Sequence, residues 1–443
     1  MSLSLKCSIL QTKIVPRVGS LYISETSIVR FKGFLMEQFD IVIAGGGYVG
    51  LSTALAIKSA APHLSVLLAD PAPPLSERKG ADMRASAIAL AAQKMLDQLG
   101  VWEKLIPHAQ PINDMVITDS KTGDAVRPVY LTFAEAVEEG RSFAHMVPNG
   151  AMVGAIEARA RELGVDIRYG DSVLDFEEKP AHMNVWLKSG GEVSAKLLVG
   201  ADGVKSGLRS IAGIKTVHWD YGQSGIVTTV KHEKPHNGQA VEHFLPAGPF
   251  AILPLTENRS SLVWTERTSD AAKMVGGDDF VFDLELERRF GHHLGALEVI
   301  GGRRAYPLSL TLAKNFVKSR FALVGDAAHG IHPIAGQGLN LGFRDVAALA
   351  QTIVEADRLG QDFGMEDVLE RYEQWRRFDT WLMGFTTDVL NRLFSNRSDA
   401  LRLMRTIGLG VVDRLPRVKS YFISQAAGIS LPNQPRLLVG EAI

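Results

Sequence analysis

The chain has 443 residues, more than one ordinary core can use, so two or three domains are expected. Its 48 Lys and Arg stand against 49 Asp and Glu, a formal net charge of -1, and no basic field draws it to nucleic acid. The single cysteine, Cys7, excludes an intramolecular disulfide framework and any CxxC metal site and fits a reducing compartment.

Residues 1–35 are rich in serine, carry Lys6, Lys13, Arg17, Arg30 and Lys32, and have Glu25 as their one acid. That composition suits an organellar transit peptide. The reading preferred is an N-terminal extension outside the fold with Met36 as the start, because Phe39 to Ala44 then opens the chain as a β-branched strand. The strand runs into Gly45, Gly46, Gly47, Tyr48, Val49 and Gly50, and the stretch from Leu51 to Lys58 reads as a helix. Strand, glycine turn and helix are the context a dinucleotide fingerprint requires. Gly45 can make the tight turn, Gly47 admits a pyrophosphate to the backbone, and Gly50 lets helix and strand pack, with helix N–H groups facing the anion. Asp70 ends a second apolar strand, Val66 to Ala69, and is suited to a ribose.

The pattern predicts a helix from Ala87 to Leu105 broken at Gly100, a strand at Met115 to Thr118, a helix at Ala151 to Leu163 and a strand at Asp166 to Tyr169. Leu197 to Gly200 is an apolar strand ending in Ala201, Asp202 and Gly203. Four alternating runs follow, 225–230, 240–245, 250–255 and 261–266, with turn residues between them, as in an antiparallel sheet. Arg320 to Val324 is a buried-type strand ending in Gly325 and Asp326, whose carboxylate can hold a ribityl or ribose hydroxyl. His332 to Asp345 is a glycine-rich loop leading to an apolar helix at Val346 to Ile353. Backbone N–H groups at its start suit negative charge on a reduced flavin ring. The stretches free of charged residues, Ile41 to Ile57 and Ala327 to Phe343, are these two glycine loops with their flanks, so neither reads as a membrane span. From Phe385 to Ser424 two or three helices are expected, with apolar positions interleaved with Arg392, Arg397, Arg402, Arg405, Arg414, Arg417 and Lys419. Such a segment can lie at a membrane surface.

The three segments around Gly45, Asp202 and Asp326 resemble the fingerprints of the flavoprotein aromatic hydroxylases with the para-hydroxybenzoate hydroxylase fold. Within that group, His332 to Asp345 resembles the signature of the ubiquinone-biosynthesis hydroxylases, the 2-polyprenyl-6-methoxyphenol hydroxylase-like FAD-dependent monooxygenases. The likeness spans about residues 36 to 430. It implies an α/β fold: a Rossmann-like FAD-binding domain, an inserted mixed or antiparallel β-sheet substrate domain, and a helical C-terminal segment. The expected divisions are 36–110, 141–213 and 318–356 for FAD, 111–140 and 214–317 for the substrate sheet, and 357–443 for the helical region.

Carried over residue by residue, the resemblance places Gly45, Gly47, Gly50 and Asp70 on the ADP half. Asp202 and Asp326 match the other two fingerprints. Pro333, Gly336, Gln337, Gly338 and Asn340 fall on the flavin-ring loop, and Arg84 matches the family's flavin-contacting arginine. Many relatives have glutamate where this chain has Asp70. The implied reaction is hydroxylation of a polyprenylated phenol by O2 through a flavin C4a-hydroperoxide, with NAD(P)H or a separate reductase as electron donor. No metal is expected.

Phe244, Phe250, Ile252, Leu253, Pro254 and Trp264 are candidates for the lining of an apolar pocket, with a plain core role as the preferred reading of each. His329 and His332 flank the flavin loop, and no catalytic base is assigned. The expected partners are the substrate, O2 and other ubiquinone-biosynthesis enzymes, and the oligomeric state is open. The expected location is cytoplasmic with peripheral inner-membrane contact, or the mitochondrial matrix side if residues 1–35 are a transit peptide. Competing readings are a related-fold flavoprotein acting on another aromatic or isoprenoid substrate, and a non-catalytic prenyl-binding protein. No Trp-x-Trp pair of the tryptophan halogenases is present.

Overall fold

Four strands of one sheet end side by side, and this brings the three motifs together. In a computed structural model that describes residues 36–78, 82, 84–120, 127–133, 141–332, 336–395, 427–429 and 433–443, Glu37–Ala44 is the central strand. It pairs in parallel with Val66–Asp70 on one side and Glu192–Gly200 on the other. Asp166–Tyr169 extends one edge and Phe321–Leu323 the other, both in parallel. Ile41, Val42, Ile43, Leu67, Leu68, Leu197, Leu198 and Val199 are fully buried, as strands covered on both faces demand. Ala44 is in register with Ala69 and Gly200, and Gly200 with Leu323, so the glycine loop, Asp70, Asp202 and Asp326 all follow carboxyl ends of strands on one edge. That edge is where open α/β sheets bind ligands.

The expected second sheet is present and mixed. Its order is His329–Gly330, Arg304–Ala313, Thr216–His232, Arg259–Arg267, Gly248–Leu255, Gln239–Leu245, Asp114–Asp119 and Val129–Phe133, with Leu297–Val299 also on Thr216–His232. All pairings are antiparallel except Gln239–Leu245 with Asp114–Asp119. One face carries Phe250, Ile252, Leu262 and Trp264, which pack with Phe282, Leu286 and Phe290 of helix Asp279–Phe290. The other face bounds the cavity described below.

The helix expected from Ala87 to Leu105 begins late. Ala85–Ala89 is a strand pairing antiparallel with Ala144–Pro148, and helices Leu90–Gln98 and Trp102–Leu105 follow, separated at Gly100 with φ +72°. Alanine favours helix, but a distant strand partner overrides a preference this small. The helix expected at Val346 to Ile353 is longer, Gln337–Arg358, and Glu366–Phe394 is one continuous helix. Most of the expected C-terminal helices, 396–426, lie outside the described residues, as do residues 1–35.

Candidate active site

At the first glycine loop, two glycines are forced by packing and one is not. A Cβ on Gly45, whose φ is +117°, would stand 2.2 Å from the Ala201 carbonyl oxygen, and one on Gly50 would stand 1.9 Å from the Gly45 carbonyl oxygen. Gly47 has nothing within 4 Å of its added Cβ and has ordinary extended backbone, φ -75° and ψ 177°, at the N-cap of helix Tyr48–Ala60. No side chain caps that helix start, which leaves its first N–H groups without a side-chain partner among the described residues. Asp70 accepts from Gly46 N–H at 2.5 Å through Oδ2 and from Ala72 N–H at 2.8 Å through Oδ1. Each oxygen keeps a second lone pair for a ribose hydroxyl.

The other two motifs lock onto this loop. Asp202 accepts from Leu208 N–H at 3.2 Å with Oδ2, while its Oδ1 is buried without a partner. Arg209 ties the motifs together by donating to the carbonyls of Val204 at 2.9 Å and Ala327 at 2.7 Å. Gly325 has φ +59°, and its added Cβ would lie 3.1 Å from both Val49 methyls. Asp326 lies on the cavity and, among the described residues, has no hydrogen-bond or ion-pair partner. It is exposed to the cavity, yet the walls around it partly desolvate it, which pushes its carboxyl above the usual range against the pull of His329 and Arg84. Arg84 itself pairs with Asp82 at 2.8 Å and lies 5.5 Å over the Tyr306 ring, near enough for its charge to act on Tyr48 and Asp326.

Gly336, with φ +64°, caps helix Gln337–Arg358; Gly336, Gln337, Gly338 and Asn340 all border the cavity, and Gly338 has nothing within 4 Å of an added Cβ. Pro333 lies outside the described residues. Asn340 proves to be a clamp: its Oδ1 accepts from Ala89 N–H at 2.9 Å, and its Nδ2 donates to the carbonyls of Ala87 at 2.9 Å and Gly336 at 3.3 Å. Its amide is thus committed to holding strand Ala85–Ala89 against the loop.

Beneath the loop is a buried charge network that sequence reasoning did not find. Asp345 accepts from Gly325 N–H at 2.9 Å, lies 2.5 Å from His329 Nε2, and pairs with Arg376 at 2.8 Å. Asp379 joins Arg376 at 2.7 Å and Arg344 at 3.0 Å. Burial acts to raise the Asp345 carboxyl, but His329 and Arg376 outweigh it and hold it below the usual range. Arg344 and Asp345 fall within the signature, whereas Arg376 and Asp379 sit on the next helix with no motif to mark them.

Between this loop and the second sheet lies a cavity of about 350 Å³. Its sheet side is Ala240, Glu242, Pro249, Ala251, Leu253, Val263 and Thr265. Of the six candidate lining residues, Leu253 borders it and the other five do not. Phe250, Ile252 and Trp264 point to the opposite face and fill the helix-covered core, and Phe244 packs on Phe394 with ring centroids 4.0 Å apart. Strand period 2 explains Phe250, Ile252 and Trp264, which alternate with the pocket residues Pro249, Ala251, Leu253, Val263 and Thr265. Pro254, one step beyond Leu253, is buried outside the cavity.

Two polar residues on this cavity stand out. Glu242 is 4% exposed and, among the described residues, has no hydrogen-bond or ion-pair partner; burial pushes its carboxyl up to about 7. His332 is fully buried with both ring nitrogens unpartnered among the described residues, and burial lowers it to about 4, which leaves it neutral. Its ring meets Tyr221 edge-on at 5.2 Å. Glu242 carries no motif, and its only sequence signal is a carboxylate in the middle of a strand whose flanks, Ala240, Val241, Phe244 and Leu245, are mostly apolar.

These groups fit FAD. The open helix start at Gly47 suits pyrophosphate, the spare lone pairs of Asp70 suit a ribose, and the unpartnered Asp326 carboxyl suits a ribityl hydroxyl. No cluster of His, Cys, Asp and Glu able to hold a metal occurs among the described residues. Residues 38–383 match the family described as FAD binding domain. Ubiquinone hydroxylase UbiL of Rhodospirillum rubrum is 44% identical over 407 residues, covering 90% of this chain and 92% of the relative. The 3-demethoxyubiquinol 3-hydroxylase of Escherichia coli is 33% identical over 396 residues, covering 89% and 99%. In fold the chain is similar to p-nitrophenol 4-monooxygenase from Pseudomonas putida, with a TM-score of 0.74 at 19% identity over 90% of this chain and 100% of that one. The chain belongs to the FAD-binding-domain family. Within it the chain stands among the ubiquinone-biosynthesis hydroxylases and is an FAD-dependent monooxygenase.

Proposed function

We propose that this protein hydroxylates the ring of a polyprenylated phenol in ubiquinone biosynthesis, using O2 and electrons from NAD(P)H or a separate reductase. The observation that carries this reading is the cavity of about 350 Å³, walled by the sheet on one side and by His332 and Gly336 to Asn340 on the other. Gly45, Gly47, Gly50, Asp70, Asp202 and Asp326 would hold the nucleotide and ribityl parts of FAD, with Gly336, Gln337 and Gly338 along the ring and Arg84 beside it. Bound FAD supplies the activation of oxygen. Ile112, Met115, Phe143, Leu253 and Leu308 keep the space beside it apolar and shut out water that would divert the oxidant. The test combines purified protein, FAD, NADPH, a short-chain prenyl phenol and labelled dioxygen. The expected result is a yellow protein and a product carrying one labelled oxygen. Asp326→Ala should lose flavin on gel filtration. A wild-type protein that binds no FAD would sink the reading.

The long prenyl tail resides in lipid, which supports contact with a membrane surface. Phe378, Leu382, Phe385 and Val389 form an exposed stripe along one face of helix Glu366–Phe394, Phe378 being 78% exposed. Among the described residues no helix is long and apolar enough to cross a membrane, so this face would lie on the bilayer. Co-sedimentation with anionic vesicles should retain the protein and lose a Phe378→Ser, Phe385→Ser double variant. Equal recovery of both in the supernatant would favour delivery of substrate by other enzymes of the route.

A further inference from the structure

Glu242 has no structural reason to be a carboxylate. It lies mid-strand in Gln239–Leu245, opposite Ala251 and Ile117 on the flanking strands, and its neighbours on the cavity wall are Ala240, Ala251, Leu253 and Val263. A carboxyl serving the fold alone would be paired, because burying a polar group without a partner is costly. Substituting an apolar residue there would remove that cost. Among the described residues the remaining titratable groups on the cavity are Tyr48, Asp326 and His332. Asp326 sits at the nucleotide edge among the residues assigned to FAD, whereas Glu242 projects from the opposite wall. The substrate class is apolar apart from the substituents on its ring, so an unpartnered acceptor on the sheet wall has one chemical complement, a ring hydroxyl.

We infer that Glu242 is the specificity-determining residue of this cavity: it accepts a hydrogen bond from the ring hydroxyl of the phenol and so sets which ring carbon faces the flavin. The inference rests on the hydroxylase reading above. Thr265, whose Oγ1 is buried without a partner among the described residues, lies two strands away on the same wall. With Glu242 it makes a polar patch on an apolar surface, and a ring anchored there has a fixed rotation. As a carboxylate Glu242 is the stronger acceptor. Because burial brings its ionisation to about 7, binding of a phenol should tighten as pH rises through neutrality. His332 titrates near 4 and is already neutral across that window.

The experiment uses the full chain loaded with FAD and two ligands, a short-chain prenyl phenol and the same molecule without its hydroxyl. Dissociation constants are read from the perturbation of flavin absorbance between pH 6 and 8. Wild type should prefer the phenol at least tenfold at the upper end and less at the lower. Glu242→Leu should keep its flavin, bind both ligands within about twofold, and give a mixture of ring isomers or consume reductant without product. Glu242→Gln is isosteric and keeps an acceptor, so it carries the test should the leucine variant fail to fold. It should bind the phenol with no dependence on pH in this range. Unchanged preference, pH response and product in both variants would overturn the inference while leaving the hydroxylase reading intact. A wild-type protein without flavin would remove both.

Discussion

At the nucleotide edge, Gly45, Gly50 and Gly325 are small because other atoms of the protein stand where a side chain would go. On the cavity, Glu242, Thr265 and His332 are polar although no protein group requires it. The first kind of site is specified by the chain's own packing and the second by what the chain leaves unpaired. The two therefore respond to substitution differently, and the largest contrast lies within one loop. Gly50→Val would drive atoms into a backbone carbonyl 1.9 Å away, and no folded protein should be recovered. Gly47→Val meets nothing within 4 Å and needs no unusual backbone, so it should fold with a wild-type melting temperature and purify colourless. A Gly47→Val protein that binds flavin normally would break the distinction, since that open space would then not be the pyrophosphate's.

The buried network beneath the loop should show the next largest effect. Asp345→Asn leaves Arg376 fully buried with one of its two carboxylates gone, and breaking a buried pair in this way costs about 3–5 kcal/mol. The pH dependence has a definite sign. The folded protein holds the Asp345 carboxyl low, so its contribution is complete above the unfolded value of roughly 4 and is lost as pH falls through the folded value. Chemical denaturation of wild type and variant should differ most near neutrality and converge on acidification. A gap that widens in acid would contradict the ion-pair assignment.

Much of the nucleotide half was legible because its constraints are local. A glycine turn at Gly45, a helix start three residues later and an acid at the end of the next strand are all short-range facts, and parallel strands bring them to one edge. The cavity wall was less legible for the opposite reason. Alternation located the four strands 225–230, 240–245, 250–255 and 261–266, yet period 2 alone does not say which parity faces the ligand. The large residues Phe250, Ile252 and Trp264 take the core role preferred for them, on the helix-covered side, and the small Ala251 with Val263 leaves the room a substrate needs. Asn340 was identified as a loop residue, but its work as a clamp depends on Ala87 and Ala89, two hundred and fifty positions earlier. Asn340→Ala strands the buried Ala89 N–H and should cost about 1–3 kcal/mol. Flavin affinity should fall with it, because strand Ala85–Ala89 borders the cavity.

The smallest effects test the parity itself, using neighbours on one strand. Ile252 is 2% exposed in the helix-covered core, so Ile252→Val removes one methyl from packed surroundings and should cost about 0.5–1.5 kcal/mol. Its carbon lies on the far side of the sheet from the substrate, and turnover and coupling of reductant to product should stay as in wild type. Leu253→Val enlarges the cavity by a comparable amount where neighbouring protein atoms are already sparse. It should move the melting temperature less and instead raise KM for the prenyl phenol or increase reductant consumed per product. Paired melting and coupling measurements on the two variants decide the matter. If Ile252→Val disturbs coupling while Leu253→Val disturbs only stability, the two faces are exchanged and the substrate wall must be sought on the helix-covered side.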